Sequence, residues 1–137
     1  MGLPNITIAL QADNNLYLSR VNQNGINYIE AVKSGIGIYS RYKLIQRSLN
    51  TIALLADNGL YLSRITRPGG DYIEAVKSSI DIFSTFTVED VGCNVIALRA
   101  DNGKYLSRIT QNGIDYIKPD KVNLDVYCRF KVTTLIE

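Results

Sequence analysis

Residues 52–74 read IALLADNGLYLSRITRPGGDYIE, and closely similar stretches occupy residues 8–30 and 96–118. The offset between copies is 44 residues each time, without insertion or deletion. The similarity also extends beyond this stretch, through approximately residues 6–49, 50–93 and 94–137. Three units of fixed length predict either threefold internal symmetry or a short linear array.

The first half of each unit has the pattern of two β-strands. Apolar residues alternate with other residues over 7–12, which is typical of a strand with one buried face. In the second unit the pair Asn58-Gly59 separates two such runs. This pair favours a tight hairpin turn in which both central residues have positive φ. We therefore expect the first two strands of each unit to form a hairpin.

The second half of each unit adds two further extended runs. In the second unit the third run is at residues 72–77, after a polar, glycine-containing segment. A turn at 78–81 then precedes a fourth run at 82–88, which is rich in aromatic and β-branched residues. We expect Tyr42, Phe86 and Phe130, at equivalent positions of this run, to lie in the core. No stretch has the pattern of a sustained amphipathic helix.

Twelve short strands in three groups of four predict a β-trefoil, a closed barrel capped at one end by three hairpins. Closure removes the exposed edges of the sheet. A linear solenoid would instead need distinct polar capping units at both ends, which the sequence lacks. We expect one all-β domain over residues 1–137.

The composition fits a single domain and narrows its partners. The chain is 46% hydrophobic, enough for a substantial core at 137 residues. The net charge of +2 is scattered along the chain, so we expect no nucleic acid partner. No apolar run is long enough to cross a bilayer, and residues 1–6 resemble neither a signal sequence nor an acylation site. These features predict a cytoplasmic protein without membrane insertion.

The sequence lacks histidine altogether, which removes the usual general base and most zinc sites. Cys93 and Cys128 are predicted at opposite ends of neighbouring strands, too far apart for a disulfide. Most polar positions recur in every unit, whereas a catalytic centre normally breaks internal symmetry. We therefore expect a binding protein rather than an enzyme, with no metal and no cofactor.

Several recurring polar residues also have structural interpretations. The aspartates Asp13, Asp57 and Asp101 lie at the first turn, where such side chains satisfy local backbone groups. Arg20 and its equivalents end the second strand. Each arginine is expected to cover the edge of the core with its aliphatic stem, to pair with a carboxylate, or to contact a ligand.

The third strand has the pattern most typical of ligand binding. If Ile29 points inward, Tyr28 and Glu30 share the outward face, as do Tyr72 and Glu74 in the second unit. An aromatic plate beside a carboxylate suits a sugar, whose C–H face stacks on the ring while its hydroxyls donate to the carboxylate. The alternative is an ordinary exposed strand with solvated charges.

Residues 98–107, LRADNGKYLS, and their copies resemble the first hairpin of fascin-like trefoil domains. The three-unit layout is similar to that of single-domain β-trefoil lectins, including agglutinins of the amaranthin type. This resemblance implies a non-enzymatic module that binds either glycans or, as in fascin, actin filaments. The Gln-x-Trp motif of ricin-type lectins is absent, because the chain contains no tryptophan.

By position, ricin-type sites use the second strand, the third strand and the loop before the fourth. Carried to all three units, this mapping and the third-strand pattern give one set of candidate carbohydrate-binding residues. These are Ser19, Arg20, Asn27, Tyr28, Glu30, Lys33, Ser63, Arg64, Asp71, Tyr72, Glu74, Lys77, Asp81, Arg108, Asp115, Tyr116, Lys121 and Asp125.

The third unit replaces the Glu-Ala-Val of the other two with Lys118, Pro119 and Asp120. Because Lys118 reverses the charge of Glu30 and Glu74, we expect weaker ligand binding in this unit. The function predicted is that of a multivalent lectin or agglutinin, as a monomer or a homodimer. The alternatives are a fascin-like module that binds actin or another protein and, less favoured because no loop differs in length between units, a protease inhibitor.

Overall fold

The computed structural model describes residues 6–136, and these residues form twelve β-strands and three short 3-10 helices. Of residues 1–6, which were compared above with signal sequences and acylation sites, only Ile6 belongs to the described residues. The strands are β1 Ile6–Gln11, β2 Tyr17–Gln23, β3 Ile26–Lys33, β4 Tyr42–Gln46, β5 Thr51–Leu55, β6 Tyr61–Arg67, β7 Gly70–Lys77, β8 Phe86–Gly92, β9 Val95–Arg99, β10 Tyr105–Gln111, β11 Ile114–Lys121 and β12 Phe130–Leu135. The 3-10 helices are Ile38–Ser40, Ile82–Ser84 and Val126–Cys128.

Six strands close into a barrel. Each of β1, β4, β5, β8, β9 and β12 pairs antiparallel with its two neighbours in that order, and β12 returns to β1. Residues from the two ends of the described chain meet in this closure, where Thr7 lies opposite Leu135. The other six strands form the hairpins β2–β3, β6–β7 and β10–β11. This arrangement confirms the predicted β-trefoil.

The pairing within each unit differs from the prediction. The first two strands of a unit pair antiparallel at a single position, such as Gln11 opposite Tyr17, so the predicted first-strand hairpin is reduced to one residue pair. The extensive hairpins join the second and third strands instead. The first and second strands of a unit diverge because both edges of the first strand are already paired within the barrel.

The first turn of each unit also has a different geometry from the one predicted. Gly59 has positive φ but Asn58 does not, and the Gly59 N–H donates to the Ala56 carbonyl at 3.1 Å. The Asn58 side chain accepts from the Leu60 N–H and donates to the Ala75 carbonyl. Its amide therefore ties the turn to the third strand. Asn24 and Gly25, in the turn of the β2–β3 hairpin, both have the positive φ expected of a primed turn.

The predicted fourth run begins as a 3-10 helix rather than a strand. Strand β8 starts only at Phe86, because Asp81 accepts a hydrogen bond from the Phe83 N–H and holds residues 82–84 in a helical turn. The Ser84 hydroxyl in turn accepts from the Asp81 N–H. This helical turn moves residue 83 from the predicted strand to the protein surface.

The core lies inside the barrel and above the three hairpins. Tyr42, Phe86 and Phe130 are fully buried, as predicted. The Tyr42 hydroxyl donates to the Leu18 carbonyl at 3.0 Å, and burial raises the pKa of this tyrosine. Cys93 and Cys128 are both free thiols, the first exposed and the second buried. No helix within residues 6–136 is long and apolar enough to cross a membrane.

Candidate functional site

The three third-strand tyrosines do not form separate exposed plates. Tyr28, Tyr72 and Tyr116 meet edge to face, with ring centroids 5.0–5.2 Å apart. Each hairpin delivers one ring to the point where the three units join. Ile29 points into the core as expected, but the opposite face of the strand is covered by the neighbouring units. These tyrosines therefore seal the capped end of the barrel.

The acidic residues beside them are buried, which corrects the prediction of an exposed carboxylate. The Glu74 side chain is 2% exposed and accepts two hydrogen bonds from Arg67, at 2.6 and 2.8 Å. Glu30 accepts a hydrogen bond from the Gln23 amide. Burial raises the pKa of Glu30, and the Gln23 hydrogen bond only partly offsets this effect.

Lys118 occupies the equivalent position in the third unit and is buried as well. Its ammonium donates to the Gly69 carbonyl at 3.1 Å and lies 4.4 Å from the centre of the Tyr72 ring. Because this lysine faces the tyrosine cluster and not solvent, the charge reversal does not support the predicted weaker binding of the third unit.

The serines of the second strand have no exposed surface to offer a ligand. Ser19 and Ser63 are fully buried. The structure therefore buries five of the candidate residues and places two more, half-buried, in the tyrosine cluster. The buried residues are Ser19, Ser63, Tyr72, Glu30 and Glu74, and the half-buried ones are Tyr28 and Tyr116.

The remaining candidates gather on the side of the molecule, around three arginines. Arg20 donates two hydrogen bonds to Asp57, both 2.8 Å long. Arg64 binds Asp101 in the same way, at 2.7 and 2.8 Å. The carboxylate hydrogen bond raises the pKa of each arginine. Each of these pairs links one unit to the next, because the aspartate belongs to the first turn of the following unit.

Each arginine has a second partner on its own third strand. Arg64 donates to Asp71 at 3.2 Å, and Arg108 donates to Asp115 at 3.0 Å. In the first unit Arg20 donates instead to the amide oxygen of Asn27, at 2.9 Å. These contacts confirm the predicted carboxylate partner of the arginines.

An aromatic ring lies beside each arginine. The guanidinium carbons of Arg20, Arg64 and Arg108 are 5.2–5.3 Å from the ring centres of Tyr39, Phe83 and Tyr127 respectively. These rings are 44%, 36% and 41% exposed. They come from the 3-10 helices before the fourth strands. The rings are large apolar surfaces held in place and open to solvent.

A lysine and an aspartate complete the cluster in the second and third units. Lys77 binds Asp81 at 3.2 Å, and its ammonium is 5.3 Å from the centre of the Phe83 ring. Lys121 and Asp125 repeat this geometry beside Tyr127. Although partial burial acts to raise the pKa of Asp81, Lys77 and the Phe83 N–H hold it below its ordinary value. The carboxylate is therefore ionised and 41% exposed.

We call these clusters lateral sites 1, 2 and 3. Lateral site 1 comprises Arg20, Asn27, Lys33, Gly37, Tyr39 and Asp57. Lateral site 2 comprises Arg64, Asp71, Lys77, Asp81, Phe83 and Asp101. Lateral site 3 comprises Arg108, Asp115, Lys121, Asp125, Tyr127 and Asp13. Eleven of the sequence candidates thus belong to a lateral site.

The sequence pattern alone does not single out the three exposed rings. Tyr39, Phe83 and Tyr127 recur at the 44-residue spacing, and this register was the available signal. They were absorbed into a predicted fourth strand, where an aromatic residue is an ordinary core position. Shallow grooves adjoin the sites where the units meet. The groove beside Asp101 has a volume of about 420 Å³ and includes Ile82.

Each lateral site can hold a small polar molecule against a ring. The ring face offers apolar stacking, while the charged neighbours offer donors and acceptors within the same surface. No group of three or more acidic or cysteine side chains within residues 6–136 has the arrangement of a metal site.

The closed barrel, the three hairpins and the pseudo-threefold axis define the chain as a β-trefoil protein. A designed 3-fold symmetric protein, ThreeFoil, has the same fold, with a TM-score of 0.80 and 16% identity over 94% of this chain and 99% of its own. A Caenorhabditis elegans protein of unknown function aligns with a TM-score of 0.73 and 18% identity, over 93% and 92% of the two chains.

A third similar structure is the Polyporus squamosus lectin, bound to the human-type influenza-binding epitope Neu5Aca2-6Galb1-4GlcNAc. It has a TM-score of 0.75 and 7% identity, over 96% of this chain and 50% of the lectin. At these identities the similarity establishes the fold alone. No protein-family model and no curated protein sequence matches the chain.

Proposed function

We propose that this protein is a non-enzymatic, multivalent carbohydrate-binding protein with one binding site per unit. The observation that carries the proposal is the set of exposed rings, Tyr39, Phe83 and Tyr127, each fixed beside an arginine. A buried ring would have a packing role, whereas each of these residues is more than one-third exposed to solvent. Their recurrence in all three units supports three sites of similar construction.

The chemistry of the lateral sites fits a pyranose sugar. The C–H face of the sugar stacks on the ring, which uses the apolar surface without removing hydroxyls from hydrogen-bonding partners. In lateral site 2, Asp81 accepts from sugar hydroxyls and Lys77 donates to them. Both side chains are about one-third exposed or more, so a ligand reaches them without rearranging the fold. The glycan-binding trefoil among the similar structures supports the same use of this fold.

Three sites on one rigid domain give the protein avidity. Binding of several sites to one glycan-coated surface can raise affinity by a factor of about 10² to 10⁴ over a single site. Agglutination of glycan-coated particles is the corresponding activity. A cytoplasmic location remains part of the proposal.

The test is a glycan-array screen of labelled protein, with the triple variant Tyr39→Ala, Phe83→Ala, Tyr127→Ala beside the wild type. Leu49→Ala is the matched control, because Leu49 is the most exposed leucine of the described residues and lies outside the lateral sites. We expect glycan binding by the wild type and the control, and its loss in a folded triple variant.

Two results would contradict the proposal. One is a glycan hit that survives in the triple variant, which would place binding elsewhere on the surface. The other is an array without any hit, which would favour a protein partner such as the actin filament suggested by the resemblance to fascin.

A further inference from the structure

The three lateral sites differ in charge at two positions. Gly37 stands in lateral site 1 where sites 2 and 3 have Asp81 and Asp125. Asn27 stands there where the others have Asp71 and Asp115. Both replacements remove a carboxylate, and neither adds a compensating charge.

The replacements change the sign of the site. Lateral sites 2 and 3 each contain one arginine, one lysine and three aspartates, which gives a net charge of −1. Lateral site 1 contains one arginine, one lysine and one aspartate, which gives +1. The net charge of site 1 therefore differs by two units from that of sites 2 and 3, although each site has an aromatic ring at the equivalent backbone position.

The contacts show where the surplus charge lies. Lys77 and Lys121 each bind an aspartate, but Lys33 has no ion pair within residues 6–136 and is exposed. Lys33 occupies the same strand register as the other two, opposite Tyr17 as Lys77 is opposite Tyr61. Lys33 therefore occupies the strand position of Lys77 without a carboxylate partner within residues 6–136.

The surroundings strengthen the difference between sites 1 and 2. Arg41 and Lys43 line the groove that Asp57 shares with lateral site 1. The equivalent groove of site 2 has Thr85 and Thr87 at these positions, and its lining includes the cation Arg47. Site 3 has Arg129 and Lys131 there, so its surroundings are also basic although its own cluster is acidic.

We infer that lateral site 1 binds an acidic sugar, one that carries a carboxylate or a sulfate group, whereas sites 2 and 3 bind neutral sugars. The inference rests on the proposed function. In sites 2 and 3, Asp81 and Asp125 accept hydrogen bonds from hydroxyls and repel an anion. In site 1, Lys33 binds the anionic group while Tyr39 stacks on the sugar ring.

The test converts lateral site 1 into a copy of site 2 by Gly37→Asp and Asn27→Asp. Gly37 accepts a side chain, because its φ of −107° is ordinary and an added Cβ would meet no atom within 4 Å. Asp81 and Asp125 occupy the same backbone position with φ near −135°. The variant therefore folds by the same contacts that the other two units already use.

The probes are N-acetylneuraminic acid for a carboxylate, 6-sulfogalactose for a sulfate and galactose as the neutral sugar, each on an array and in titration calorimetry. We expect at least one acidic probe to lose about tenfold in affinity in the double variant, as two unit charges near an exposed site imply. Neutral binding should stay within about twofold. The acidic interaction should also weaken with added salt.

The reciprocal variant Asp71→Asn, Asp81→Gly makes lateral site 2 resemble site 1 and should add acidic-sugar binding there. Acidic binding that is unchanged in the first double variant, or absent while neutral sugars bind, would overturn the inference and leave the proposed function standing. Failure of every sugar to bind would overturn both.

Discussion

The guanidinium of Arg108 binds the carboxylate of Asp13 through two hydrogen bonds of 2.8 Å, across 95 positions of the sequence. Both side chains are largely buried, at 16% and 14% exposure. This pair joins the third unit to the first, as Arg20–Asp57 and Arg64–Asp101 join the other neighbours. The three ion pairs link each unit to the next and close a circle around the molecule. Their arginines are the ones that lie beside the exposed aromatic rings.

The three ion pairs between units should stabilise the folded protein measurably. In a double-mutant cycle of Arg64→Ala and Asp101→Ala, we expect a coupling free energy of about 1 kcal/mol, because the pair is bidentate and mostly shielded from solvent. Urea denaturation measures each free energy of unfolding. The more exposed pair Lys77–Asp81 is the control, with an expected coupling below about 0.5 kcal/mol. Equal couplings for both pairs would show that shielding has no role.

Removing the Tyr42 hydroxyl should destabilise the core. Tyr42→Phe leaves the Leu18 carbonyl without its buried partner, and we expect a loss of about 1 kcal/mol in the free energy of unfolding. The equivalent Phe86 and Phe130 show that a phenyl ring fits this position, so packing should be unchanged. Denaturant melts of the variant and the wild type would decide, and identical midpoints would mean that the hydrogen bond adds nothing.

Glu30 should make stability depend on pH. Burial raises its pKa in the folded protein, so the folded state binds the proton more tightly than the unfolded state does. Its contribution is therefore fully present below the unfolded pKa and is lost as pH rises through the folded pKa. Glu30→Gln should gain stability relative to wild type as the pH rises above about 4, near the ordinary pKa of a glutamate. A difference that stays constant as the pH rises would contradict the prediction.

Glycan binding should not depend on the carboxylates at the tyrosine cluster. Because Glu30 and Glu74 are buried, the double variant Glu30→Gln, Glu74→Gln should keep its sugar affinity within about twofold while its free energy of unfolding changes. Calorimetric titration with any sugar identified on the array, beside urea denaturation, separates the two effects. Loss of affinity in a variant that is still folded would return these residues to the binding site.

The two thiols should differ in reactivity. Cys93 is exposed, whereas Cys128 is buried, and burial raises the pKa of the Cys128 thiol. A thiol reagent should modify one cysteine per native chain and two after denaturation. Peptide mapping should locate the native modification at Cys93, and rapid labelling of Cys128 would show that the structure opens at the 3-10 helix before β12.

The fold was predictable because the repeat fixes both the number of strands and their grouping. The alternation of apolar residues correctly placed Ile29 in the core. The same alternation says only that Tyr28 lies on the opposite face, and it carries no information on whether another unit covers that face. The sequence therefore predicts a site that is divided between the tyrosine cluster, where three hairpins meet, and the region where the arginines lie.

The exposed rings lie in segments where a strand and a 3-10 helical turn compete as backbone conformations. Residues 82–88 have the composition of a strand, but the Asp81 side chain captures the Phe83 N–H and starts a 3-10 helix. The same helical turn forms at Tyr39 without such a capping bond. The outcome depends on the surrounding barrel as well as on the local sequence, which explains why the sequence alone predicts a strand at Phe83.

The charges around the tyrosine cluster bear on how a single unit would behave by itself. Glu30 and Glu74 are balanced there by Arg67 and Lys118 only because the units have diverged. A homotrimer of 44-residue peptides copied from the first unit would bury three glutamates at the axis, and one copied from the third unit would bury three lysines. The second unit brings its own Arg67 for each Glu74. It is therefore the unit from which a symmetric, self-assembling trimer can be built without net charge at its centre.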